Sequence, residues 1–505
     1  MSCSKHAFAF VALAALFAST ASARGAGGEL TLTVVDPQTG RPMPCRMHLS
    51  NEKGRPQRAA KTVFFDDHFV LPGTVKIKLP RGTYHFVIER GPEYLERKGY
   101  FVMDNQAKDE KTVELNRACH MADEGWWSGD LHVHRAAKDI ELLMQAEDLH
   151  LAGVLAWTNQ KNEWAEGMAQ EPVRSFDRNH CYTFAGEDHP PGGTLLYFNL
   201  PKPLDTAGRT GDEAAALEAL FAARQASAGW IDLDNATALD LPLWLATGRV
   251  DSIGVCHDQM CRREVKDDPS ARPREKRRLP GVLGTGSWTQ EVYYHVLNCG
   301  LRLPPSAGSG SGEAPNPVGY NRVYVWLDKD PFDYGAWWEG FRRGRVLATN
   351  GPLVRPVANG CPPGEVFEER DALTLDVAAN VTVRDPVSYF ELIKDGRVAY
   401  SVRYDELAKD GHFPKLEFNE SGWCLVRAVT DVEDTYRFAT SAPWYVEIGD
   451  APRRISKTSA QFFLDWLAER REQLQSEGAL AAKIAEAFDR AEVFWNDILA
   501  RANAP

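Results

Sequence analysis

A surplus of positive charge is missing from this chain. Its 58 Lys and Arg are outnumbered by 70 Asp and Glu, for a formal net charge of −12 over 505 residues. Nucleic-acid binding calls for the opposite, a basic patch or stripe. The one basic cluster, "ARPREKRRLPG" at 271–281, sits among Asp, Pro and Gly and reads as a solvated loop. Cysteine is also sparse. Beyond Cys3 there are Cys45, Cys119, Cys181, Cys256, Cys261, Cys299, Cys361 and Cys424, too few in so long a chain for a disulfide framework. Most are expected to be small buried residues. Long apolar runs are absent after the first twenty residues. The early run "AFAFVALAALFAS" is too short to span a bilayer comfortably. With Lys5 before it and "ASA" at 21–23 after it, residues 1–23 read as a signal peptide cleaved before Arg24. The expectation is an exported protein, periplasmic or secreted, with no integral membrane segment after cleavage. Three enzyme signatures are missing too: a G-x-S-x-G elbow, a P-loop lysine motif, and G-x-G-x-x-G after a strand.

What remains is a multidomain pattern. Residues 24–120 alternate in short runs ("ELTLTVVD", "CRMHLS", "TVKIKLPRGTYHFVIERG") and predict a β-sandwich, similar to prealbumin-like accessory domains. From 121 to 355 strand-like and helix-like segments alternate, which predicts an α/β barrel or doubly wound sheet. Residues 356–450 predict a second β-sandwich. The stretch 451–505 holds two amphipathic segments that predict an antiparallel helical pair.

The chemistry is concentrated in "WWSGDLHVHR", 126–135. His132 and His134 are two apart, so on a strand both imidazoles face one side. Such a pair can hold a borderline cation at about 2.0–2.1 Å, and "FAGEDH" offers a third ligand in Glu187, beside Asp188 and His189. Two histidines and a carboxylate with an open position suit the activation of water for hydrolysis. An H-x-H pair also arises as ordinary strand residues.

"GDLHVH", followed by helix, strand, "GE" and a later "AGS" loop, resembles the PHP (polymerase and histidinol phosphatase) superfamily. With "FRRGRVLATNGPL" it is most similar to the carbaryl-hydrolase-like (CehA/McbA-type) branch. The resemblance covers about 121–365 and implies a (β/α)7 barrel holding up to three metals and cleaving esters, phosphoesters or carbamates. Several ligand positions depart from that pattern: Asn159 and Gln160 stand for an Asp and a His, Thr194 for a His, and Gly310 and Gly312 for an Asp and a His.

The expected fold class is therefore multidomain α/β plus all-β: a central PHP-like (β/α)7 barrel flanked by two β-sandwiches, with a C-terminal helical pair. The expected function is hydrolysis of an ester, amide, carbamate or phosphoester, with Glu187 or Asp188 handling the proton. The ligand set is His132, His134 and Glu187, helped by His189 or His257, and less readily by His180. The cofactor is a divalent metal, zinc first, with manganese or iron as alternatives. A small-molecule or glycan substrate is expected and nucleic acid is not. The rival reading is a catalytically degenerate barrel that binds a ligand or glycan, for which the tryptophans between Trp126 and Trp288 could supply stacking faces. Asp232 and Asp234 in "WIDLDN" form a possible acid pair, and Asn321 and Arg322 possible substrate contacts.

Overall fold

The computed structural model describes residues 27–65, 67–164, 171–204, 206, 213–225, 229–328, 331–450 and 453–505. The signal segment read at 1–23 lies outside the described residues. Between Gly28 and Glu114 the chain forms two sheets. In one, Gly28–Val35 lies between Thr74–Leu79 and Lys108–Glu114. The other runs Val63–Phe65, His68–Leu71, Cys45–Asn51, Gly82–Glu89, Arg97–Met103. Alternation explains the layering. In Thr74–Leu79 the residues Val75, Ile77 and Leu79 are buried while Lys76 and Lys78 face water.

The central region is built on one long sheet. From Trp126–Val133 it passes to Leu151–Trp157, Cys181–Asp188, Leu195–Phe198, Trp230–Leu233, Ser252–Cys256 and Pro305–Ala307. On its other side Trp126–Val133 pairs antiparallel with Arg322–Trp326, then Val346–Thr349 and Phe438–Ser441 follow. The ladder thus continues into the C-terminal β region, sixteen strands in all.

This arrangement corrects the expected (β/α)7 barrel, and the reason is local. "HPPGG" at 189–193 is a turn, with Gly193 at φ 138°, so Leu195–Phe198 folds straight back antiparallel on Cys181–Asp188. A parallel step needs a crossover of a dozen or more residues, and none fits there. The far side of Trp126–Val133, which barrel closure requires, is occupied by an antiparallel strand. A single bridge, Val133 to Ser311, joins the curled ends. The sheet is open and mixed. The second sandwich expected at 356–450 is likewise continuous with this sheet and not a detached unit.

Lys457–Ser476 and Ala482–Ala500 form the helical pair. Ser456 caps the first, accepting from Ser459 N at 3.2 Å. Trp466 and Trp495 anchor the pair by donating to Leu239 O and Pro242 O, each at 2.9 Å. Trp157, Trp230 and Trp244 are also fully buried, so these rings fill the core and offer no stacking face. Among the described residues no helix is long and apolar enough to cross a membrane.

His150 is fully enclosed beside Ser128, whose hydroxyl lies 2.8 Å from its Nδ1, and it stacks on His180. Burial pushes its pKa down to about 3. Between that value and about 6.5 the unfolded ring binds a proton that the folded ring refuses. Stability is therefore expected to fall as pH drops through this window, by up to about 1.4 kcal/mol per pH unit. Denaturant midpoints between pH 6.5 and 4 should show a shallower pH dependence in His150→Phe than in the unaltered protein.

Candidate metal centre

Six of the seven strands from Trp126–Val133 to Pro305–Ala307 run the same way, so their carboxyl ends meet on one side, where open α/β sheets bind ligands. His132 belongs to the first strand and His134 lies one residue beyond it; Glu187 is near the end of the third and Asp234 just follows the fifth. Asp130 holds this end together. Its carboxylate accepts backbone N–H groups from His132 at 3.1 Å, Ser309 at 3.0 Å and Gly319 at 2.6 Å.

His132 Nε2 lies 2.9 Å from His134 Nε2 and 3.5 Å from Glu187 Oε1, while His134 Nε2 is 3.9 Å from Glu187 Oε2. A tetrahedral cation with ligands at about 2.0–2.1 Å has ligand–ligand edges of roughly 3.3 Å. The three donors therefore match one face of such a site. Behind it, His132 Nδ1 meets Asp234 Oδ1 at 2.8 Å. That carboxylate holds the Nδ1–H tautomer, which turns the Nε2 lone pair toward His134 and Glu187.

The electrostatics agree. Burial opposes charge on His132, but Asp234 and Glu187 outweigh it and hold its pKa well above the usual imidazole value. His134 is pushed down to about 4 by burial and by the adjacent His132. Burial would raise Glu187, yet the histidines hold it below the ordinary carboxylate range.

The other candidate residues are placed elsewhere. Asp188 alternates to the opposite face of its strand from Glu187 and accepts from Asn159 Nδ2 at 2.7 Å. His189 turns its Nδ1 to Thr194 Oγ1. His257 Nε2 meets Thr289 Oγ1 at 3.2 Å. Neither joins His132, His134 and Glu187, whose ligand atoms lie within 4.8 Å of one another. His180 pairs with Asp177 at 2.8 Å. Asp232 and Asp234 have separate partners, since Asp232 accepts from Ser252 Oγ. Asn321 and Arg322 are tied up by backbone carbonyls, including those of His257 and Gly319.

The departures from the expected ligand pattern have a structural basis. Gly312 has φ 119°, and a Cβ there would lie 2.7 Å from His134 O and 2.8 Å from its Cβ. At Gly310, φ is 59° and a Cβ would come within 2.6 Å of Asp258 Cβ. The loop needs glycine at 312 to approach His134 and at 310 to clear Asp258, which excludes a ligating side chain at either position. Asn159 is used structurally, accepting from His189 N at 2.6 Å. The described residues thus offer donors for one cation here.

No family model matches the sequence, and no curated protein matches it. Among solved structures, the Bacillus anthracis TIE protein is 21% identical over 22% of this chain, with a TM-score of 0.15. Fibronectin(III)-like modules of Clostridium thermocellum CbhA are 15% identical over 26%, with a TM-score of 0.15. A pilus-presented adhesin is 17% identical over 18%, with a TM-score of 0.13. The chain covers 19%, 65% and 29% of those three chains respectively. Likenesses so slight say nothing about the fold or the site.

Two acidic residues beside the site escaped the sequence reading. Asp258 is half-buried, and desolvation together with Asp234 pushes it up to about 7. Glu313 Oε1 lies 3.4 Å from His134 Nδ1. Asp258 lies two residues past a strand end, which could have flagged it. Glu313 sits in a glycine-rich loop and gave no signal.

Proposed function

We propose that the protein is an exported, metal-dependent hydrolase acting on an ester, amide, carbamate or phosphoester. The observation that carries this reading is the convergence of His132, His134 and Glu187 with Asp234 behind the first imidazole. The "GDLHVH" resemblance to PHP-superfamily hydrolases points the same way, without the barrel. His132, His134 and Glu187 suit a divalent cation, zinc first, which when bound would supply Lewis acidity and lower the pKa of water. Asp234 fixes the His132 ring, and Asp130 fixes the backbone beneath it. Asp258, half-buried and against Gly310 of the loop that approaches His134, would hold or release the proton beside the cluster. Glu187 is committed to the histidines, so Asp258 replaces it, and Asp188, as the proton-handling group.

The test is elemental analysis of untagged protein after zinc incubation and dialysis, with hydrolysis of a panel of chromogenic esters, phosphoesters and carbamates. Metal retained in proportion to protein, and hydrolysis lost to a chelator and restored by zinc, supports the proposal. Folded protein that retains no metal at this site sinks it. Asp234→Asn preserves shape but removes the charge behind His132. A 10–100-fold weaker zinc affinity is expected for it in competition titrations.

A further inference from the structure

A second group of donors lies outside this site, where the N-terminal β-domain meets the central sheet. His48 and His68 stand directly opposite each other on antiparallel strands, with ring centroids 5.0 Å apart. Directly opposed residues of such a pair share a face. Asp67, just before His68, places Oδ2 3.2 Å from His48 Nδ1 and Oδ1 3.0 Å from His68 Nδ1. One ligand atom from each residue lies within 4.8 Å of the others.

We propose that His48, His68 and Asp67 form a second cation site that takes a zinc-like divalent ion at the seam between the two domains. Three observations support it. His48 is only 8% exposed, and neither ring nitrogen makes a well-directed hydrogen bond; each has only a carboxylate oxygen at 3.2 Å, from Asp67 or Glu89. A buried imidazole left so is costly, and coordination relieves it. Glu89 Oε2 stands 3.2 Å from His48 Nε2, which puts a carboxylate on the far side of the ring from Asp67. That repeats the carboxylate–histidine arrangement found behind His132.

The third observation is charge. Asp67, Glu89 and Glu147 supply three carboxylates around the seam. Two largely buried guanidinium groups answer them: Arg46 on Glu89 and Glu147, and Arg262 on Glu89 at 3.0 Å and Asp67 at 3.5 Å. Arg263 also reaches Asp67 at 3.5 Å, but it is 64% exposed and screened by water. One negative charge is left over beside the two imidazoles. The Asp67 side chain is 36% exposed, so an ion can enter from solvent. Glu147 and Arg262 belong to the central region, so an ion held here would brace the junction.

The test is zinc titration of untagged, full-length protein by calorimetry, with cobalt(II) absorption as an independent readout of nitrogen ligation. His132→Ala with Glu187→Ala removes the first site and is expected to leave one bound equivalent. Adding Asp67→Asn, at a half-exposed position, should weaken that equivalent at least tenfold, and adding His48→Asn with His68→Asn should abolish it. In the otherwise unaltered protein, His48→Asn with His68→Asn should lower the stoichiometry by one whether or not the first site binds, so failure of the two sites can be told apart. Absence of that equivalent in natively folded protein, or its indifference to Asp67→Asn and the histidine changes, would overturn the proposal and leave the cluster as an ion-paired seam.

Discussion

His132→Ala and Glu187→Ala are each expected to abolish stoichiometric metal at the central site and to reduce hydrolysis at least a hundredfold, with the fold retained. Each change leaves two donors, too few for a catalytic zinc site. Both side chains are buried, at 4% and 8% exposure, but they sit at the sheet's ligand-facing end and not in its packed interior. Truncating His132 leaves Asp234 without its partner at 2.8 Å, so a modest stability loss should accompany the loss of metal. Truncating Glu187 instead brings two imidazoles together with no carboxylate on that side. Circular dichroism and a thermal melt separate loss of ligation from unfolding. Activity that persists in folded, metal-free His132→Ala would refute the catalytic reading.

Arg46→Ala is expected to be the most destabilising single change at the domain seam, costing about 3–5 kcal/mol. Arg46 is 4% exposed and paired with Glu89 at 3.0 Å and with Glu147. Removing it leaves buried Glu147 without a guanidinium and Glu89 with Arg262 alone, which costs more than the pair itself contributes. The triple change Arg46→Met, Glu89→Gln, Glu147→Gln should therefore recover much of the loss. Denaturant unfolding checks both. An Arg46→Ala midpoint indistinguishable from that of the unaltered protein would mean that water reaches these carboxylates.

Some of the site was legible because its signals are local. Strand alternation puts His132 and His134 on one side of a chain segment wherever that segment is placed, and it sends Glu187 and Asp188 to opposite faces. The glycines at 310 and 312 were readable as lost ligands, although their reason, close approach to Asp258 and His134 respectively, was not. Asp234 was visible as an acid near a strand end, but its bond to a histidine 102 residues earlier depends on which strands become neighbours. His48 and His68 gave no motif at all; cross-strand register alone makes them a pair.

The order of strands and helices, the signal-like start and the residue types available for chemistry were determined by the sequence itself, since periodicity and composition act over a few residues. The open sheet in place of a barrel, its continuation into the C-terminal strands, and the partners of each imidazole were decided only by tertiary structure. A turn at 189–193 reverses one strand, and an antiparallel neighbour occupies the edge that closure would need. The first is a local turn that periodicity does not reveal; the second joins Trp126 to Trp326, and its free energy exists only once the sheet has formed.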